Sequence, residues 1–140
     1  MKKAVLIFCL LFLFNSTALV HGEIENHFFQ SKTVSFKGVD NNWEISHKMT
    51  LVGTDILFET TIKYKGKYDK DLAKSPSHYL IKYSHGIIGS EAFLLNKSNE
   101  FHSKKRECGG CEFLDNENEV HIEIYWKDKI STVILKRVDQ

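Results

Sequence analysis

The clearest chemical potential in this sequence lies in Cys108-Gly109-Gly110-Cys111. Two cysteines at this spacing either close a disulfide or form a redox centre in which the first thiolate attacks a substrate disulfide. A redox centre needs a lowered thiol pKa, which a helix N-terminus behind a strand commonly supplies. Lys104, Lys105 and Arg106 precede the pair and favour a thiolate, but Glu112-Phe113-Leu114 follows with no helical or βαβ pattern. The two intervening glycines supply the backbone freedom that a tight ring requires. A structural disulfide is therefore the favoured reading, and a loop this short contributes roughly 2 kcal/mol in the chain-entropy account. Thiol-disulfide redox activity is the second reading. Metal binding is the third, since two cysteines fill only half of a tetrahedral zinc shell.

The histidines His27, His47, His78, His85, His102 and His121 form neither H-x-H nor H-E-x-x-H. Convergence in space is all that would make them metal ligands, and spacing gives no reason for it. His47 alternates with apolar residues and is expected to be a satisfied, partly buried side chain. Asp115, Glu117 and Glu119, interleaved with Asn116 and Asn118, lack both the glycine and the terminal bidentate glutamate of a calcium loop. There is no G-x-S-x-G elbow around a serine, and nothing selects a carboxylate pair for glycoside cleavage. No catalytic residue and no cofactor is assigned.

The elements that would position these residues are strands. In Trp43-Glu44-Ile45-Ser46-His47-Lys48-Met49-Thr50-Leu51 the odd positions are apolar or aromatic with His47 among them, a period of two that marks a strand with one buried face. Phe58, Thr60, Ile62 and Tyr64 repeat the pattern, and Gly53-Thr54-Asp55 suits the turn between the two. Strands over 79–85 and 91–96 follow, with Gly86 and Gly89 in their link. The most regular hairpin is the last, where Val120, Ile122, Ile124 and Trp126 alternate with His121, Glu123, Tyr125 and Lys127, and the chain returns over Ile130 to Val138. Phe28 to Phe36 supplies a first strand, Cys111 to Leu114 is a short candidate, and residues 69–75 are a candidate for one turn of helix before Pro76. These seven to eight strands predict an all-β fold, an antiparallel β-sandwich of immunoglobulin-like architecture, with a small β-barrel as the alternative. Trp43 and Trp126 fall on inward positions and are expected to meet in the core. Tyr125 is expected on the outside, where an exposed aromatic strip suits carbohydrate or a protein.

At the N-terminus, Met1-Lys2-Lys3 precedes an apolar run from Ala4 to Phe14, which meets Asn15-Ser16-Thr17. Eleven apolar residues are too few to span a bilayer, which takes about 20, and the flanks are those of an export signal. Cleavage is expected after Gly22, making residues 1–22 a signal peptide and 23–140 one domain; an uncleaved signal acting as a membrane tether is the alternative. Cleavage removes Cys9 and leaves one cysteine pair in an oxidising compartment. Loss of Lys2 and Lys3 leaves 17 basic residues against 18 acidic ones. Nucleic-acid binding, which draws on a domain-wide basic excess, is thereby disfavoured. The lysines at 63, 65, 67, 70 and 74 are interleaved with Glu59, Asp69 and Asp71 and read as a solvated edge.

Two stretches carry a resemblance. Phe36-Lys37-Gly38-Val39-Asp40-Asn41-Asn42-Trp43 places a phenylalanine, a glycine two residues on, and an Asn-Trp pair where the second strand begins, and Ile122 to Lys129 with Ile134-Leu135-Lys136 places a tryptophan before a polar turn and a closing strand. In both, the chain resembles a family of small, uncharacterised exported proteins and lipoproteins of Bacillus and related Gram-positive bacteria. The resemblance implies an exported β-sandwich of the cell envelope, with Phe36, Gly38, Asn42, Trp43 and Trp126 as structural motif residues and no catalytic roles. Many such proteins carry a lipidated cysteine after the cleavage site. Here Glu23 stands there, so release to the wall or medium is expected, with no stable membrane insertion after cleavage. Where the resembling family often has serine, this chain has Asp40.

The expected function is thus that of a secreted, non-enzymatic domain that binds a protein or a cell-envelope component. The alternatives are redox chemistry at Cys108 and Cys111, and metal binding by histidines.

Overall fold

The computed structural model describes residues 31–68 and 70–138. The expected signal peptide, its cleavage site, His27 and the start of the first predicted strand lie outside those residues. Among the described residues nine strands run in chain order: β1 (Lys32–Val39), β2 (Trp43–Val52), β3 (Asp55–Tyr64), β4 (Ser77–Tyr83), β5 (Gly86–Phe93), β6 (Glu100–His102), β7 (Arg106–Glu107), β8 (Glu119–Trp126) and β9 (Lys129–Arg137). A single-turn helix, α1 (Lys70–Lys74), lies between β3 and β4 and stops before Pro76, whose ring disfavours the helical region for the residue before it.

All strand pairs are antiparallel, in the order β5-β4-β8-β9-β1-β2-β3-β6, with β7 beside β6 on the free edge of β3. The fold is all-β, as the alternation predicts. Hydrogen bonding passes through the whole set without a break, and the sheet curls until its two ends face each other, so that the molecule is nearly a barrel. Its halves close on one core as the layers of a sandwich do. Trp43 of β2 meets Trp126 of β8 edge to face at 5.3 Å, and Tyr79 of β4 lies 6.2 Å from Phe101 of β6.

The inner face follows the period of two. Val34 and Phe36, Trp43 to Met49, Val120 to Ile124, and Val133 and Leu135 bury alternate side chains. Side chains of this size each stabilise the fold by about 1.5–3 kcal/mol when fully buried. Trp43, Tyr64 and Trp126 form a mutual cluster with ring centroids 5.1, 5.2 and 5.3 Å apart, which plugs one end of the barrel.

Three local expectations change. The β4–β5 turn falls at Ser84-His85, and Gly86 and Gly89 lie inside β5, which ends at Phe93. A register shift between Ile81 and Lys82 accommodates the extra residue, and a Cβ at Gly89 would meet Ile81 and Phe58 at ordinary contact distance. Cys111 to Leu114 is a loop rather than a strand. The short strands β6 and β7 have too few residues to show a period.

Candidate functional site

The motif Phe36 to Trp43 is a connector. Phe36 is fully buried, and Gly38 lies against β9 so closely that a Cβ would meet the Ile134 carbonyl oxygen at 2.3 Å. The Asp40 carboxylate accepts the backbone N–H groups of Asn42 at 2.8 Å and Trp43 at 2.6 Å, which folds the β1–β2 turn. The Asn42 carbonyl receives the Lys65 N–H at 2.7 Å, and Trp43 enters the aromatic plug. Phe36, Gly38, Asp40, Asn42 and Trp43 thus each make contacts that shape the scaffold.

Cys108 and Cys111 are joined in a disulfide, with Cα atoms 5.6 Å apart. The Cys108 N–H donates to the Ile56 carbonyl on β3 at 2.8 Å, and Cys111 packs against the core beside the Ile88 carbonyl of β5 at 3.5 Å. Gly109 and Gly110 point into open space, and Gly110 has φ +80°, a left-handed conformation suited to glycine. Among the described residues the one helix, α1, is remote in sequence from the pair and one turn long.

The histidines are dispersed. His78 bonds Ser90 at 3.0 Å, His85 bonds Ser84 at 2.7 Å, His102 bonds Thr61 at 3.1 Å, and His121 lies 3.3 Å from Glu119. Among the described residues no group of three or more histidines, cysteines or acidic residues could hold a metal ion.

His47 departs from the expectation of a satisfied side chain. It is almost fully buried; Nδ1 pairs with the Thr60 hydroxyl at 3.0 Å, while Nε2 has no hydrogen-bond partner among the described residues. Burial lowers its pKa to about 4, because an imidazolium there would be desolvated. His47 Nδ1 pairs with the Thr60 hydroxyl, and the Tyr79 hydroxyl donates to Glu91 at 3.1 Å. Glu91 then pairs with Arg106 of β7. Sequence alternation placed His47 and Thr60 inward, but the polar set Tyr79, Glu91 and Arg106 is one that no local pattern connects.

The outer face of β4, β8 and β9 is the other notable surface. Register sets His78, Tyr125 and Ile130 side by side across the three strands. Ile130 is 64% exposed, Ile134 49% and Tyr125 36%, apolar exposure on a face that an antiparallel sheet usually gives to polar residues. The Tyr125 hydroxyl donates to Glu123 at 2.6 Å and Lys82 donates to the same carboxylate at 2.5 Å. The bond to Glu123 pushes the Tyr125 pKa up, and Lys82 holds Glu123 below the usual carboxylate range. An open groove of about 620 Å³ runs beside Tyr125, lined by His78, Lys127, Ile130 and Pro76 among others. It is an aromatic and aliphatic platform with donors and acceptors at its margin, among them the Ser90 hydroxyl paired with His78 Nε2.

No protein-family model matches the chain, and neither a curated protein nor a solved structure matches it.

Proposed function

We propose that this chain is an exported, non-catalytic binding module of the cell envelope or medium, which holds a protein or wall polymer on the outer face of β4, β8 and β9. The observation that carries the reading is the row His78, Tyr125 and Ile130 on that face, exposed and flanked by the fixed polar groups Lys82 and Glu123. Exposed apolar side chains grouped within a polar rim favour recognition. The inner face, by contrast, is filled by the core. Export rests on the N-terminal sequence and on the resemblance to Gram-positive exported proteins. Purified residues 23–140 incubated with envelope material should co-sediment with it and show no turnover of wall substrates. Turnover, or a tightly held metal found by elemental analysis, would replace this reading.

The open flank of Gly109 and Gly110 supports a second proposal, a thiol-disulfide enzyme centred on Cys108. Its measurement is the reduction potential with insulin as acceptor. A strongly reducing potential without insulin reduction removes it.

A further inference from the structure

The near-barrel has one seam, where the edge of β5 faces β6 and β7 without a backbone ladder among the described residues. Side chains close it. Phe93 meets Phe101 at 5.2 Å, Glu91 pairs with Arg106, and the Tyr79 ring lies 6.2 Å from Phe101. The segment after β7 finishes the closure. Cys108 extends the ladder on β3 through Ile56, the chain turns at Gly109-Gly110, Cys111 seats against Ile88 of β5, and Glu112 accepts the Tyr83 hydroxyl at 3.2 Å. The disulfide joins the residue bound to β3 with the residue seated on β5.

We propose that Cys108–Cys111 is a redox-sensitive clasp on the barrel seam, whose reduction frees the β4–β5 hairpin along its β5 edge while the rest of the sheet stays folded. A dithiol supplies the reaction: its two thiols are oxidised to a disulfide, and Cys108 and Cys111 take up two electrons and two protons to become thiols. The consequence follows from topology. Among the described residues the β4–β5 hairpin holds a backbone ladder to the rest of the sheet only through β4 to β8, so its other edge depends on the seam contacts. Every strand from β8 through β9, β1 and β2 to β3 has a backbone partner on both sides: the ladders are long at β8–β9, β1–β2 and β2–β3, β9 meets β1 through Phe36–Arg137, Lys37–Lys136 and the Val138 N–H to Ser35 carbonyl bond, and β3 ends in β6 and β7. Local opening draws on the least-bonded unit.

The test is amide hydrogen exchange of residues 23–140 before and after native-state reduction with dithiothreitol. Exchange in Gly86–Phe93 should rise roughly tenfold, the scale expected from releasing a short disulfide loop, with β1, β2, β8 and β9 unchanged. Oxidation should restore the original pattern. A rise confined to residues 108–111, or a uniform rise through all strands, overturns the proposal. Arg106→Gln in the oxidised protein is the independent arm: it removes a second seam contact without touching the cysteines, and should accelerate exchange in the same strand. No acceleration in β5 in that variant also counts against it.

Discussion

His47 is a neutral imidazole held by one hydrogen bond inside the core, and that sets a pH dependence for stability. Its ordinary value of 6.5 falls to about 4 on folding. Above pH 6.5 neither state binds the proton and the fold keeps its full stability. Between 6.5 and 4 the unfolded chain binds it and the folded one does not, so stability declines as pH falls, by on the order of 3 kcal/mol in total. Denaturant melts across this range should show the decline, and His47→Leu should flatten it; an equally steep profile in that variant would assign the effect elsewhere. Gly38 makes a steric claim. Gly38→Ala puts a Cβ 2.3 Å from a backbone oxygen of β9, an overpacking that costs about 1–3 kcal/mol. Gly109→Ala meets nothing within 4 Å and should stay within about 0.5 kcal/mol of the parent. Thermal melts of the two variants decide this. Indistinguishable melting temperatures would contradict the close approach. The inward placement of His47 was legible from alternation, but its orphaned Nε2 was not, because that depends on what other strands bring beside it.

The β8–β9 hairpin shows how far period and turn chemistry reach. Its inward residues Val120, Ile122 and Ile124 are buried, as the alternation requires. Its two turn residues, Lys127 at φ 45° and Asp128 at φ 58°, adopt left-handed backbone without glycine. A two-residue turn of this hand matches strand twist, and Asn-Gly fits it best. Lys127→Asn combined with Asp128→Gly should therefore stabilise the domain by about 0.5–1 kcal/mol, read as a higher denaturation midpoint at an unchanged slope. A lower midpoint would mean that Lys127 or Asp128 makes compensating contacts. Elements that rest on local pattern were readable in this way: β2, β3, β8, β9 and the helical turn before Pro76. Pairing of β6 and β7 with β3 was not, since three- and two-residue strands have no period and gain their ladder only from an edge built elsewhere in the chain.

The whole molecule is a chain of hairpins whose ends are brought together by side chains. Its antiparallel, all-β character follows from the strands one by one. The continuity of the sheet does not, because β4 joins β8 and β1 joins β9 across long stretches of sequence that no local signal relates. The cysteine pair was visible as a disulfide, whereas its place on the seam required the fold. The outer platform was visible only as an outward Tyr125. Its company, His78 from β4 and Ile130 from β9, comes from register. Recognition through that platform is the central claim, and the most direct measurement compares envelope binding of the parent domain with that of Tyr125→Ala combined with Ile130→Asp, both confirmed folded by circular dichroism. The account predicts saturable binding by the parent, weakened at least about tenfold in the variant, a loss of about 1.4 kcal/mol. Equal binding by the two folded proteins would contradict it.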